Sequence, residues 1–190
     1  MVSEISKPDH FQIQLSKVAF ITFNYDRLLE HLFYESFKNA FPEMRVDDVN
    51  RILKSLIIIH VYGAIDDPPW ETSGYRYGKD YKFWYLNDAR GRIKIIGEET
   101  DYNSRREIIR MRGLIFQSAK RIFFLGFGYD PANMSILNIP ESLEVYGTAY
   151  GLFKEEIDRI KVRIRAGEGF IEPCDCTELL RKYFAGKNIN

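Results

Sequence analysis

Glycine is missing from the first third of this chain: in a sequence of 190 residues the first is Gly63. A glycine-rich phosphate loop, whose bare backbone amides cradle a pyrophosphate ahead of a helix, therefore has no place before that point. Cysteine is scarce too. Only Cys174 and Cys176 occur, too few for a four-ligand zinc site and separated by a single residue, which strains any bridge between them. They read as reduced thiols of a cytoplasmic protein, and no metal is expected. Charge of either sign is not in excess: Lys+Arg 27 balance Asp+Glu 27. A neutral chain generates no long-range field toward nucleic acid or an anionic membrane. No apolar run is longer than Leu56 to Ile59, far short of a bilayer span, and the N-terminus (Met1, Glu4, Lys7, Pro8, Asp9) lacks the apolar core of a signal peptide.

What is present is aromatic. Phe, Trp and Tyr make up 15% of the chain, which favours a packed globule over disorder. The length suits one domain over 1–190, burying roughly two-thirds of its unfolded surface. Apolar runs alternate with helical periodicity. Strand-like segments fall at 18–23, 56–62, 122–125 and 143–150, with weaker ones at 92–96 and near Phe170–Ile171. Helices are expected at 27–39, with Leu28, Leu29, Leu32, Phe33 and Phe37 on one stripe, then at 46–56, 104–119, 154–165 and 176–184, plus one opened by Pro131. Ser104 with Glu107 reads as a capping box, and Asp130 as the cap before Pro131. The segment 66–92 breaks this rhythm: seven of the sixteen residues 70–85 are aromatic, and it reads as an insertion at the domain edge. Strands alternating with helices predict a single α/β Rossmann-like domain, with a mainly parallel sheet and helices on both faces.

Three strand ends carry unusual residues. Asn24 and Asp26 follow the first, His60, Tyr62 and Gly63 end the second, and Gly126-Phe127-Gly128 with Asp130 follow a third. In a parallel sheet such ends share the carboxyl edge, where ligands bind. Asn24 offers a donor and an acceptor, Asp26 accepts from hydroxyls or amides, and the glycines admit a ligand close to the backbone. Together they form a nucleotide-shaped set. Each has a plainer role as well. Asp26 and Asp130 suit helix caps, Gly126 and Gly128 suit turns, and Tyr62 suits a core rim. His60 inside an isoleucine run is a hydrogen-bonded core histidine in roughly two cases of three. Glu30 and His31 read as surface residues. The aromatic, lightly basic stretch 70–94 reads as self-packing rather than base-stacking, so no nucleic-acid partner is expected.

The motifs FNYDRLLE, HVYGAID, LGFGYDPAN and VYGTAYG, in that order between Val18 and Phe184, resemble SIR2-like domains of bacterial NAD-hydrolysing and defence proteins, distant relatives of the sirtuin deacylases. The resemblance implies NAD as ligand or substrate and cleavage of its nicotinamide–ribose bond. It implies that Asn24 and Asp26 contact the nicotinamide-ribose end and that the turn at Gly126, Phe127 and Gly128 lines the adenosine half. Two departures stand out. The base of such domains is a His directly before Gly, and here that position is Tyr62. A phenol of reference pKa near ~10 is ionised about one part in a thousand at neutral pH, so its use as a base costs about 4 kcal/mol. His60 lies two residues upstream, about 6.5 Å further down the strand. The glycine phosphate loop that opens such domains is also missing. The sequence thus leaves two expectations: a portion of a larger NAD-hydrolysing domain with Asn24, His60 and Tyr62 at the chemistry, or a catalytically degenerate module that binds an ADP-ribose-like nucleotide or a protein partner, itself included.

Overall fold

The computed structural model describes residues 8–65, 67–71, 102–164 and 168–184. The backbone groups into two compact units, Met1–Ile108 and Ile109–Asn190. Among the described residues there are seven helices and five strands, and every strand pairing is parallel. The expected sheet takes the form of two ladders, one of two strands and one of three.

The first unit runs α1 (Pro8–Leu15), β1 (Ala19–Thr22), α2 (Leu28–Ala40), α3 (Val46–Leu53) and β2 (Ile57–His60). The two helices form the crossover that two parallel neighbours require. Register sets Ala19 beside Ile57 and Thr22 beside His60. The core gathers Leu15, Phe37, Val49, Ile52, Leu53, Leu56 and Trp70. Trp70 belongs to the stretch read as an edge insertion, so the first residues of that stretch contribute to the body of the unit. The remainder of the insertion and the strand expected at 92–96 lie outside the described residues.

Helix α2 corrects the sequence reading. Its buried stripe starts at Glu30 and continues through Phe33, Tyr34, Phe37 and Phe41, the i, i+3, i+4, i+7 spacing of one face. Leu28 and Leu32, expected inside, are 41% and 53% exposed. Phe33 meets Phe20 of β1 edge-on at 5.1 Å, and Phe37 meets Phe41 at 4.8 Å. These aromatic contacts set the helix's rotation, and they carry Glu30 inward with them. Glu30 is 1% exposed and is not a surface residue.

A long helix, α4 (Tyr102–Ser118), follows in the chain. It starts two residues before Ser104, so that serine lies inside the first turn rather than capping it. The second unit continues with β3 (Arg121–Phe124), α5 (Pro131–Leu137), β4 (Glu144–Thr148), α6 (Lys154–Ile164), β5 (Glu168–Glu172) and α7 (Cys176–Phe184). The strands lie in the order β3-β4-β5. Ile157, Ile160 and Ile164 give α6 its buried stripe. On one sheet face Phe123, Tyr146 and Phe170 sit side by side in register, with ring centroids 5.1 and 6.4 Å apart. Helix α7 covers them with Tyr183, 4.4 Å from Tyr146, and Phe184, 4.9 Å from Phe123. Gly147 is buried, and its register partners are Phe124 and Ile171.

Candidate functional site

The residues singled out from sequence divide between the units: Asn24, Asp26, His60, Tyr62 and Gly63 fall in the first, and Gly126, Phe127, Gly128 and Asp130 in the second.

In the first unit, β1 and β2 end together because they are parallel and in register. Their outgoing loops are stitched by backbone bonds. Val61 N–H donates to the Thr22 carbonyl at 2.9 Å, and Ile65 N–H donates to the Tyr25 carbonyl at 2.8 Å. Gly63 closes the second loop by donating to the His60 carbonyl at 3.2 Å. Its φ of 78° lies in the left-handed region that favours glycine. The Phe23 and Tyr62 rings meet edge-on at 5.7 Å.

His60 ties the two loops from beneath. Its Nδ1 lies 2.8 Å from the Asn24 carbonyl oxygen and its Nε2 lies 2.8 Å from Glu30 Oε1, while the side chain is only 6% exposed. Arg27 Nη1 donates to the same Glu30 oxygen. Burial pushes the Glu30 carboxyl up, but the hydrogen bonds from His60 and Arg27 and the attraction of the imidazole outweigh it, and its pKa is lowered. Glu30 is therefore ionised. A carbonyl oxygen and a carboxylate oxygen are both acceptors, and each lies within hydrogen-bond distance of one ring nitrogen of His60. Oε2 of Glu30 is buried without a hydrogen-bond partner among the described residues. His60 is thus a buried, hydrogen-bonded histidine, with both ring nitrogens engaged.

The other residues of this edge separate by role. Asp26 accepts the Leu28 N–H at 2.9 Å on Oδ1, the local turn that leads chain into helix. Asn24 is exposed. Its backbone is held by His60 and by a 3.1 Å bond from its N–H to Thr22 Oγ1, and its side-chain amide bonds to no described residue. Of the set named from sequence, Asn24 is thus the amide presented outward.

In the second unit, the carboxyl edge of β3-β4-β5 carries the glycine turn. Gly126, at φ 60°, donates its N–H to Thr148 Oγ1 at 2.9 Å, and the Thr148 hydroxyl in turn faces the Phe124 carbonyl at 3.4 Å. Phe127 stacks on Phe124 at 5.0 Å and meets Tyr129 edge-on at 5.4 Å. Gly128 stands in open space. Tyr129, also at positive φ (53°), is buried, and its hydroxyl donates to the Thr148 carbonyl at 3.0 Å. Burial, then the neighbouring Cys174 and Cys176 thiols, raise its pKa. Asp130 accepts the Ala132 and Asn133 N–H groups at 2.8 and 3.2 Å, the cap expected of it. Both cysteines are free thiols. Burial and the carboxylates of Glu172, Glu178 and Asp175 push the Cys174 thiol up, away from the thiolate a nucleophile needs. Among the described residues no group of three or more His, Cys, Asp and Glu could hold a metal ion, and no helix is long and apolar enough to cross a membrane.

Sequence reasoning missed Glu30, Arg27 and Thr148. The signal for Glu30 was its spacing from Phe33, Tyr34 and Phe37, which puts it on their stripe. No family model, curated protein or solved structure matches this chain.

Proposed function

We propose that this chain is a nucleotide-binding α/β module of the SIR2-like kind, taking NAD or an ADP-ribose-like ligand at the carboxyl edge of β1 and β2. The observation that carries this reading is the outward-facing Asn24 amide, presented at the end of a parallel strand pair while His60 fixes its backbone. An amide held in that way recognises a carboxamide or ribose hydroxyl through one donor and one acceptor. Gly63, which closes the loop after β2, carries no Cβ to obstruct a ligand that approaches that loop. The parallel strands with helical crossovers agree with a Rossmann-like layout. Free thiols agree with a cytoplasmic home.

Binding without hydrolysis is the better-supported form of this reading. Cleavage of the nicotinamide–ribose bond, with Asn24 orienting the attacking water or the carboxamide, needs a proton acceptor. His60 is committed to Asn24 and Glu30, and Tyr62 as a base costs about 4 kcal/mol. Calorimetric titration with NAD and with ADP-ribose tests the binding, and nicotinamide release from NAD tests the chemistry. Saturable heat with either ligand and no nicotinamide is the expected outcome. Release that Asn24→Ala abolishes would favour the enzyme instead.

A further inference from the structure

The last residue of β1 is the odd one in its strand. Ala19, Phe20 and Ile21 are apolar, and Thr22 alone brings a side chain that can hydrogen-bond. Its backbone belongs to the ladder: Thr22 stands beside His60 in register, and its carbonyl accepts the Val61 N–H at 2.9 Å. Its side chain belongs to the loop, where Oγ1 accepts the Asn24 N–H at 3.1 Å. A hydroxyl that accepts from the amide two residues on closes a small local turn. Branching at Cβ leaves threonine few χ1 choices, so the strand itself aims that oxygen. Such a turn has a plain use in ending a strand. Here it also joins the paired strands to the exposed Asn24, whose carbonyl oxygen lies 2.8 Å from His60 Nδ1. The Asn24 backbone is thus held at both of its polar groups, while its side chain is left outside.

We infer that Thr22 is the positioning residue of the Asn24 edge, and that the amide it helps to fix makes this edge select a carboxamide over a carboxylate. An amide held in one direction presents an N–H donor beside an accepting oxygen. A carboxamide on the ligand answers both: its oxygen accepts from Asn24 Nδ2 and its own N–H donates to Asn24 Oδ1. A carboxylate accepts at the first position but sets its second oxygen against Oδ1, acceptor against acceptor. A site built to hydrogen-bond a group rejects the analogue that leaves one of its polar atoms unanswered. Without the Thr22 hydroxyl the Asn24 backbone is held at one end only. The amide then turns to suit either ligand, meeting a carboxylate with its N–H alone, and the preference shrinks. Thr22 touches no ligand and acts through Asn24. The selectivity rests on the nucleotide reading above, whereas the fastening of Asn24 stands without it.

Calorimetric titration of the whole chain near neutral pH with NAD and with its nicotinic acid counterpart, which differ only in that group, tests the selectivity. The parent is expected to bind the carboxamide form roughly tenfold more tightly, about the worth of one hydrogen bond. Thr22→Val, close to the same shape without the hydroxyl, should weaken NAD binding by roughly three- to tenfold and bring the two affinities together. Thr22→Ser should restore both the affinity and the preference. Equal affinities in the parent, or a loss in Thr22→Val that falls alike on both ligands, overturns the inference. Binding of ADP-ribose but not of NAD overturns it as well. Absence of binding by NAD and ADP-ribose alike contradicts the nucleotide reading, and amide hydrogen exchange then decides the fastening. The Asn24 N–H should exchange faster in Thr22→Val and slow again in Thr22→Ser, and equal rates in all three chains overturn the inference. If Thr22→Val does not fold, Thr22→Ala, which also lacks the hydroxyl, takes its place with the same expected outcomes.

Discussion

The Tyr129 hydroxyl occupies the space that a side chain on Gly147 would need. A Cβ built on Gly147 falls 2.2 Å from Tyr129 Oη, 2.9 Å from Ile171 Cδ1 and 3.1 Å from Phe124 Cβ. Glycine inside a strand is weakening by itself, so its presence one residue before the end of β4 answers to this packing. Gly147→Ala is expected to destabilise the second unit by about 2–3 kcal/mol, because the buried phenol must move and release the Thr148 carbonyl. Tyr129→Phe in the same chain should recover part of that loss. Urea unfolding of the two single variants and the double variant measures the coupling, and strict additivity would contradict the contact.

Glu30 predicts an acid-sensitive fold. Its pKa is lowered in the folded chain, so the unfolded chain binds more protons there as the medium is acidified. The stabilisation is complete above the ordinary carboxylate pKa of about 4.3 and is lost as pH falls through the lowered folded value. Glu30→Gln should flatten that acid limb in a plot of stability against pH. At neutral pH the same change is expected to cost about 2–4 kcal/mol, since it leaves His60 and Arg27 facing a neutral group.

Asp130 is a cap, and its replacements should rank accordingly. Asp130→Ala is expected to cost about 1 kcal/mol, while Asp130→Asn, which keeps an accepting oxygen for Ala132 and Asn133, should cost little. Chemical denaturation midpoints read both. Equal losses would show that the charge, not the hydrogen bonds, matters at α5.

Glycines of the two edges should respond differently to one methyl group. Gly63 has φ 78°, so Gly63→Ala should cost about 1–2 kcal/mol of backbone strain. Gly128 has no heavy atom within 4 Å of a built Cβ, and its φ is not in the left-handed region. Gly128→Ala should leave the melting temperature unchanged.

Much of this fold was legible because buried strands and amphipathic helices impose different periods on a sequence. The helix Cys176–Phe184 and the cap at Asp130 with Pro131 stand where the residues indicate. The rotation of α2 was not legible. Leu28 and Leu32 look like core by hydropathy, yet the Phe20–Phe33 and Phe37–Phe41 contacts decide which face turns inward, and such pairings are tertiary. Glu30 was missed for the same reason: a carboxylate reads as surface until Arg27 and His60 are seen beside it. At the site, Asn24 and His60 were both singled out. That the backbone carbonyl of one would occupy a ring nitrogen of the other depends on strand register, which Thr22 beside His60 fixes and composition does not.

The most direct test of the nucleotide reading is a calorimetric titration of the chain with ADP-ribose near neutral pH, run in parallel on Asn24→Ala. The account predicts saturable binding to the parent, and its loss in the variant with the melting temperature unchanged. No heat with the parent, or equal binding by both chains, would contradict it.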